Sequence, residues 1–144
     1  MKFAQLNMII RLGREFGHEQ IRDAGFTDTE HAICTFLCFH EHVSQDYISN
    51  ALMLDKTTIA KALSTMERKG LIIRTQNEQN RRENIITITQ SGRESVSASI
   101  DIYDTWLGEI CSCLSEEESN QLDSFLNRMV DCALQRREQK NKAV

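Results

Sequence analysis

Proline is absent from the 144 residues. The strongest helix breaker is therefore missing, which fits a chain built mostly of helices. No apolar run approaches the roughly 18 residues of a membrane span, so no membrane partner is expected. The opening Met1-Lys2-Phe3-Ala4-Gln5-Leu6-Asn7 lacks the long apolar core and cleavage site of an export signal, and a cytoplasmic location is the expectation. Also lacking are a Gly-rich phosphate loop, a His-Glu-x-x-His pair and a nucleophile elbow. Without them an enzyme reading is weak and no cofactor is expected. A thiol enzyme using Cys34 with His31 is the one catalytic alternative. Five cysteines (Cys34, Cys38, Cys111, Cys113, Cys132) without an export signal read as reduced thiols and not as a disulfide frame.

What is present is an ordinary globular composition, 40% apolar and 26% charged, long enough for one domain with a real core. The net charge of −4 argues against a polyanionic partner until its distribution is read. Residues 56–93 hold eight cations (Lys56, Lys61, Arg68, Lys69, Arg74, Arg81, Arg82, Arg93) and three acids (Glu67, Glu78, Glu83). The segments on either side are acidic. Binding to phosphate depends on the local cluster and not on the global sum.

Periodicity supplies the helices. Phe3, Leu6, Ile9, Ile10, Leu12 and Phe16 give the first one a broad apolar stripe. The stretch from His18 to Ala24 is open between helix and loop. Thr27-Asp-Thr-Glu30 is a capping box that opens a second helix carrying Ile33, Phe36, Leu37 and Phe39. Ser44 is the cap of a short third helix with Ile48, Ala51 and Leu52. Met53 and Leu54 make a turn, Asp55 caps a fourth helix over 56–69, and Gly70 closes it. Leu71–Thr75 and Asn84–Thr89 are rich in β-branched residues, and polar residues 76–83 join them as a hairpin. Val96, Ile100, Tyr103, Leu107 and Ile110 then repeat at alternating fours and threes, the seam of a fifth helix packed along another helix. Ser115-Glu-Glu-Glu118 caps the last helix, which carries Leu122, Phe125, Leu126, Met129 and Ala133.

The order helix, tight turn, helix, charged hairpin over 44–92 is that of a winged helix-turn-helix. The fourth helix sets Ile59, Ala62, Leu63 and Met66 on one side. Thr57, Thr58, Lys61, Ser64, Thr65 and Arg68 lie on the other. Small hydroxyls mixed with cations suit a major groove, where acids are repelled. The expected class is mainly α with a small β-hairpin wing and six helices. The winged module spans 27–90, and residues 1–26 and 91–144 form a helical dimerisation region. The terminal helices carry more apolar surface than a small winged module can bury, and a second copy of the chain is the simplest cover.

The sequence resembles the MarR (multiple antibiotic resistance regulator) family. The resemblance rests on Phe26-Thr27, on Ile48-Ser-Asn-Ala-Leu-Met-Leu-Asp-Lys56, on Met66-Glu-Arg-Lys-Gly-Leu-Ile72, on Asn80-Arg-Arg82 and on Ile88-Thr-Gln-Ser-Gly92. It implies a triangular homodimer that binds a double-stranded, pseudo-palindromic operator as a transcriptional regulator, most simply a repressor released by a small effector. It implies a wing whose Arg82, beside Arg81, probes the minor groove. The family's wing carries Asp where this chain has Asn80, so the brace on Arg82 is a neutral amide, or Glu78 or Glu83 takes its place.

Read with that resemblance, Thr57, Thr58, Lys61 and Thr65 face the major groove. Ser44, Gln45, Arg68, Lys69 and Arg74 are placed for phosphates. A small aromatic or anionic effector would sit among Arg14, His18, His31, Tyr103 and Trp106. Cys34 and Cys38 stand at i, i+4 beside Ile33 and Leu37, where packing is the first reading and redox control the alternative. A metal-responsive variant would draw on Cys38, His40, Glu41 and His42, but no histidine follows His42, so no metal site is expected. A winged helix that binds a partner protein is the remaining alternative.

Overall fold

The computed structural model describes residues 2–142. Met1, Ala143 and Val144, which fall within the expected dimerisation region, lie outside the described residues. The described residues contain seven α-helices and three short strands, in the order α1 (Lys2–Asp23), α2 (Asp28–Phe39), β1 (Val43–Ser44), α3 (Gln45–Leu52), α4 (Lys56–Arg68), β2 (Ile72–Gln76), β3 (Asn84–Ile88), α5 (Gln90–Ser97), α6 (Ile102–Ile110) and α7 (Glu116–Lys142), with one 3₁₀ turn at Cys111–Cys113. The class is mainly helical with a small antiparallel sheet. Among the described residues no helix is long and apolar enough to cross a membrane.

Local chemistry sets the helix starts. The Thr27 hydroxyl accepts from the Glu30 amide at 3.2 Å, and the Glu30 carboxylate accepts from the Thr27 amide at 3.2 Å. Both donors would otherwise be orphaned at the start of α2. Ser44 caps α3 by accepting from the Tyr47 amide at 3.1 Å. Asp55 caps α4, accepting from the Thr58 amide at 2.8 Å. Its carboxyl is held below the ordinary aspartate range first by the Thr58 hydroxyl and then by the Thr58 amide. The turn between α3 and α4 runs through Met53, whose φ of 54° is left-handed. The Leu54 carbonyl there accepts from the Ser49 hydroxyl at 2.6 Å.

The chain forms two compact units, the first running to Asp104 and the second starting at Thr105. Apolar faces of α2, α3, α4 and the sheet make the core of the first unit, with Ile33, Leu37, Ile48, Ile59, Leu63, Met66 and Ile86 fully buried. The sheet order is β1-β3-β2, with Val43 opposite Ile86 and Arg74 opposite Ile86 from the other side. The strand β1 was not expected. Two residues give no alternation to read, and they pair with a partner more than forty positions away.

Two expectations at the helix level are refined. The open stretch from His18 onward is helix as far as Asp23. The expected fifth helix exists as two segments, α5 and α6, with a turn between them. There the Ser99 carbonyl accepts from the buried His31 ring at 2.8 Å. The turn also shifts the phase of the seam: Ile102, not Tyr103, is buried. Tyr103 lies instead across α1 at Gly17, where any Cβ would come within 2.8 Å of its ring.

In the second unit, Ser115 and Glu118 exchange bonds of 2.8 and 3.3 Å, the capping box expected there. The Ser115 amide, and after it the Ser115 side chain, hold the Glu118 carboxyl below its ordinary range.

Candidate nucleic-acid interface

The outer face of α4 is built by what its inner face buries. Ile59, Leu63 and Met66 are fully buried, and the 3.6-residue repeat then forces Thr57, Lys61, Ser64 and Arg68 outward, all four exposed. Ala60, Lys61, Ser64, Thr65 and Arg68 line one open concave strip along the helix. Thr58 is half-buried, and its hydroxyl donates to the Asp55 carboxylate at 2.6 Å. Of its groups, the methyl and the remaining lone pair are left for a ligand. Ser44 and Gln45, half-buried, open α3.

The hairpin loop braces itself with amides. The Gln76 side chain donates to the Arg81 carbonyl at 2.8 Å, and the Asn77 side chain donates to Glu83 at 3.1 Å. Asn80 Oδ1 accepts from the backbone amide of Arg82 at 3.3 Å. The neutral residue at this position therefore shapes the turn and does not grip the guanidinium. Arg81 and Arg82 project into solvent.

The eight cations of 56–93 separate into two sets. Lys56 pairs with Asp46 at 3.0 Å, Lys69 with Glu30 at 2.8 Å, Arg74 with Glu67 at 3.5 Å and Arg93 with Glu41 at 2.9 Å. Among the described residues Lys61, Arg68, Arg81 and Arg82 form no ion pair, and all four are exposed. Two of the expected phosphate contacts, Lys69 and Arg74, are thus engaged by acids of the chain itself. The Lys69 ammonium is engaged by the buried carboxylate of Glu30 and by the Gly25 carbonyl at 3.2 Å. The Arg74 side chain is only 21% exposed, with Nε and one terminal nitrogen buried. Sequence reading counted these cations correctly but could not see their acids. Glu30 lies 39 positions from Lys69.

The residues expected to hold an effector are separated by burial. His31 is 3% exposed, and since a carbonyl only accepts, its Nε2–H is already committed to Ser99. It meets Phe26 and Tyr103 edge-on. The His31 ring thus ties α2 to the turn that follows α5. His18 lies 3.3 Å from the Asp28 carboxylate. Burial raises the Tyr103 hydroxyl pKa, Asp28 raises it further, and Arg14 lowers it. Arg14, His18, Asp28 and Tyr103 thus form one exposed polar group within the first unit. The sequence places Asp28 only within the capping segment Thr27-Asp-Thr-Glu30. Trp106 belongs to the second unit.

Burial first, then Cys38 and Glu30, pushes the Cys34 thiol up to about 12, against the lowering effect of Lys69. Burial also raises Cys38. A thiol kept protonated is a poor nucleophile, so the geometry favours packing over redox control or thiol catalysis.

The family model for the MarR family matches residues 26–84. A Bacillus subtilis organic hydroperoxide resistance transcriptional regulator is 33% identical over 92 residues, covering 64% of this chain and 61% of the relative. An uncharacterised HTH-type transcriptional regulator of the same organism, YdgJ, is 24% identical over 105 residues, covering 73% of this chain and 64% of the relative. These matches span less than two thirds of the relatives' own lengths. Solved structures match more fully. A crystal structure of MarR superposes with a TM-score of 0.82 at 25% identity, covering 94% of this chain and 92% of that one. The Staphylococcus aureus MepR–DNA complex superposes with a TM-score of 0.81 at 27% identity, covering 92% of this chain and 98% of that one. Residues 26–84 thus match the MarR family model, and over more than nine tenths of its length the chain has the fold of MarR winged-helix regulators.

Proposed function

We propose that the protein is a sequence-specific regulator of transcription that binds double-stranded DNA as a homodimer. The observation that carries this reading is the set of four exposed, unpaired cations: Lys61 and Arg68 on α4, Arg81 and Arg82 at the wing tip. Thr57, Thr65 and the Thr58 methyl offer small contacts to base edges between the cations. Ser44 and Gln45 open α3 where free amides meet phosphate. That a relative of this fold, MepR, has been solved as a DNA complex supports the reading. A two-fold pair of such heads reads two half-sites about one helical turn apart.

The dimer is supported by apolar residues that stay exposed on the single chain, Phe3, Ile9, Ile10 and Leu12 on α1 and Phe125 and Met129 on α7. Repression is the simplest mode, since a compact dimer on an operator blocks polymerase. Release by a small aromatic effector is supported by Arg14 and Tyr103 in one exposed group. Asp28 in that group opposes a strongly anionic ligand.

The test is selection of a duplex from a random pool, followed by a salt titration. Four free cations per protomer predict a log–log slope of about −7 for the dimer. Failure to enrich any duplex, or an affinity indifferent to salt, refutes the reading and favours a protein partner for the winged surface.

A further inference from the structure

Arg74 is the least satisfied charge in the molecule's described polar network. It stands on β2, on the same face as buried Ile72 and directly opposite fully buried Ile86. Among the described residues its Nε and one terminal nitrogen are buried without a hydrogen bond, and its charge is answered by a single carboxylate, Glu67 at 3.5 Å. Those nitrogens are out of reach of a phosphate. A guanidinium held this way costs stability and is retained for what it positions.

What it positions follows from the hairpin's attachment. At the hairpin base, the Leu71 amide bonds the Met66 carbonyl at 2.9 Å and the Thr89 hydroxyl bonds the Gly70 carbonyl at 2.7 Å. The apolar contacts of β2 stop at Ile72, since Thr75 and Gln76 are exposed. Arg74 is the next inward residue toward the tip, and Glu67 is in the last turn of α4. Beyond the base, this pair joins α4 to the hairpin. A hairpin arm roughly 17 Å long that tilts by about 10° moves its tip by about 3 Å, enough to withdraw an arginine from a groove.

We infer that Glu67 and Arg74 are positioning residues that set the angle between α4 and the wing, so that Lys61 and Arg82 engage one duplex at once. The inference rests on the DNA-binding reading. It makes a prediction opposite in sign to plain electrostatics. Removing an acid near DNA ordinarily tightens binding, because repulsion is relieved. Here Glu67→Gln weakens it.

The experiment titrates the full chain against a duplex selected from a random pool by the wild type. Glu67→Gln is expected to bind about tenfold more weakly. In an Arg82→Ala background the same substitution is expected to cost little, because no minor-groove contact remains to be misdirected. The swap Glu67→Arg with Arg74→Glu is expected to recover part of the loss. Tighter binding by Glu67→Gln, or an equal loss in both backgrounds, overturns the inference. If the wild type enriches no duplex, the DNA-binding reading fails, and the brace is judged by amide exchange. Faster exchange over residues 74–85 in Glu67→Gln sustains it, and unchanged exchange overturns it.

Discussion

The helices α4 and α7 carry the same apolar spacing and meet opposite fates. In α4 the stripe Ile59, Leu63, Met66 is fully buried within thirteen residues. In α7 the twenty-seven residues include none that is buried, with Phe125 at 53% and Met129 at 56% exposed. A periodic stripe therefore states that a face must be covered. It does not state whether the cover comes from the same chain. For α4 it is supplied by α2, α3 and the sheet. For α7 we propose the second copy.

That contrast can be broken first at its strongest point. Leu63→Ala removes a fully buried side chain and is expected to cost about 2–5 kcal/mol, read as a lowered denaturant midpoint at unchanged m. The matching change in α7, Phe125→Glu with Met129→Glu, is expected to leave the first unit's cooperative unfolding in place while converting the dimer to monomer in sedimentation. A monomeric wild type, or a double variant that still sediments as a dimer, removes the proposed cover.

A smaller effect separates the free from the engaged cations. Lys61→Ala is expected to cost about 1–3 kcal/mol in operator binding and to relax sequence preference, with the fold unchanged. Lys69→Met should do the reverse, lowering stability because Glu30 is left buried without its cation, and affecting DNA binding only in proportion. Equal effects of both on the salt slope would show that the division into two sets is wrong. The smallest expected signal is that of Cys34. With its thiol near 12, it should stay unmodified by a thiol reagent at neutral pH until the protein is unfolded. Rapid labelling of the folded chain would restore the redox alternative.

The sequence made some of this legible and not the rest, for physical reasons. Caps at Thr27, Ser44, Asp55 and Ser115 were readable because donor and acceptor lie three residues apart. The inward side of α4 was readable because helical geometry leaves no choice once Ile59 and Leu63 are fixed. The strand at Val43–Ser44 and the break after Ser97 were not, since each answers to a distant partner, β3 for one and His31 for the other. The ion pairs of Lys69 and Arg74 were hidden on the same ground. Charge counts along a chain record cations without the acids that fold against them.

The corner at Met53 has a consequence of its own. A residue bearing a Cβ sits there in left-handed backbone, a conformation that costs roughly 1–2 kcal/mol for most side chains. Its side chain is 63% exposed, so little packing repays that strain. Asparagine tolerates this geometry better, without the unfolded-state freedom that glycine would add. The elbow joining α3 to α4 is thus a place where thermal tolerance can be raised while every residue proposed to meet DNA is left alone.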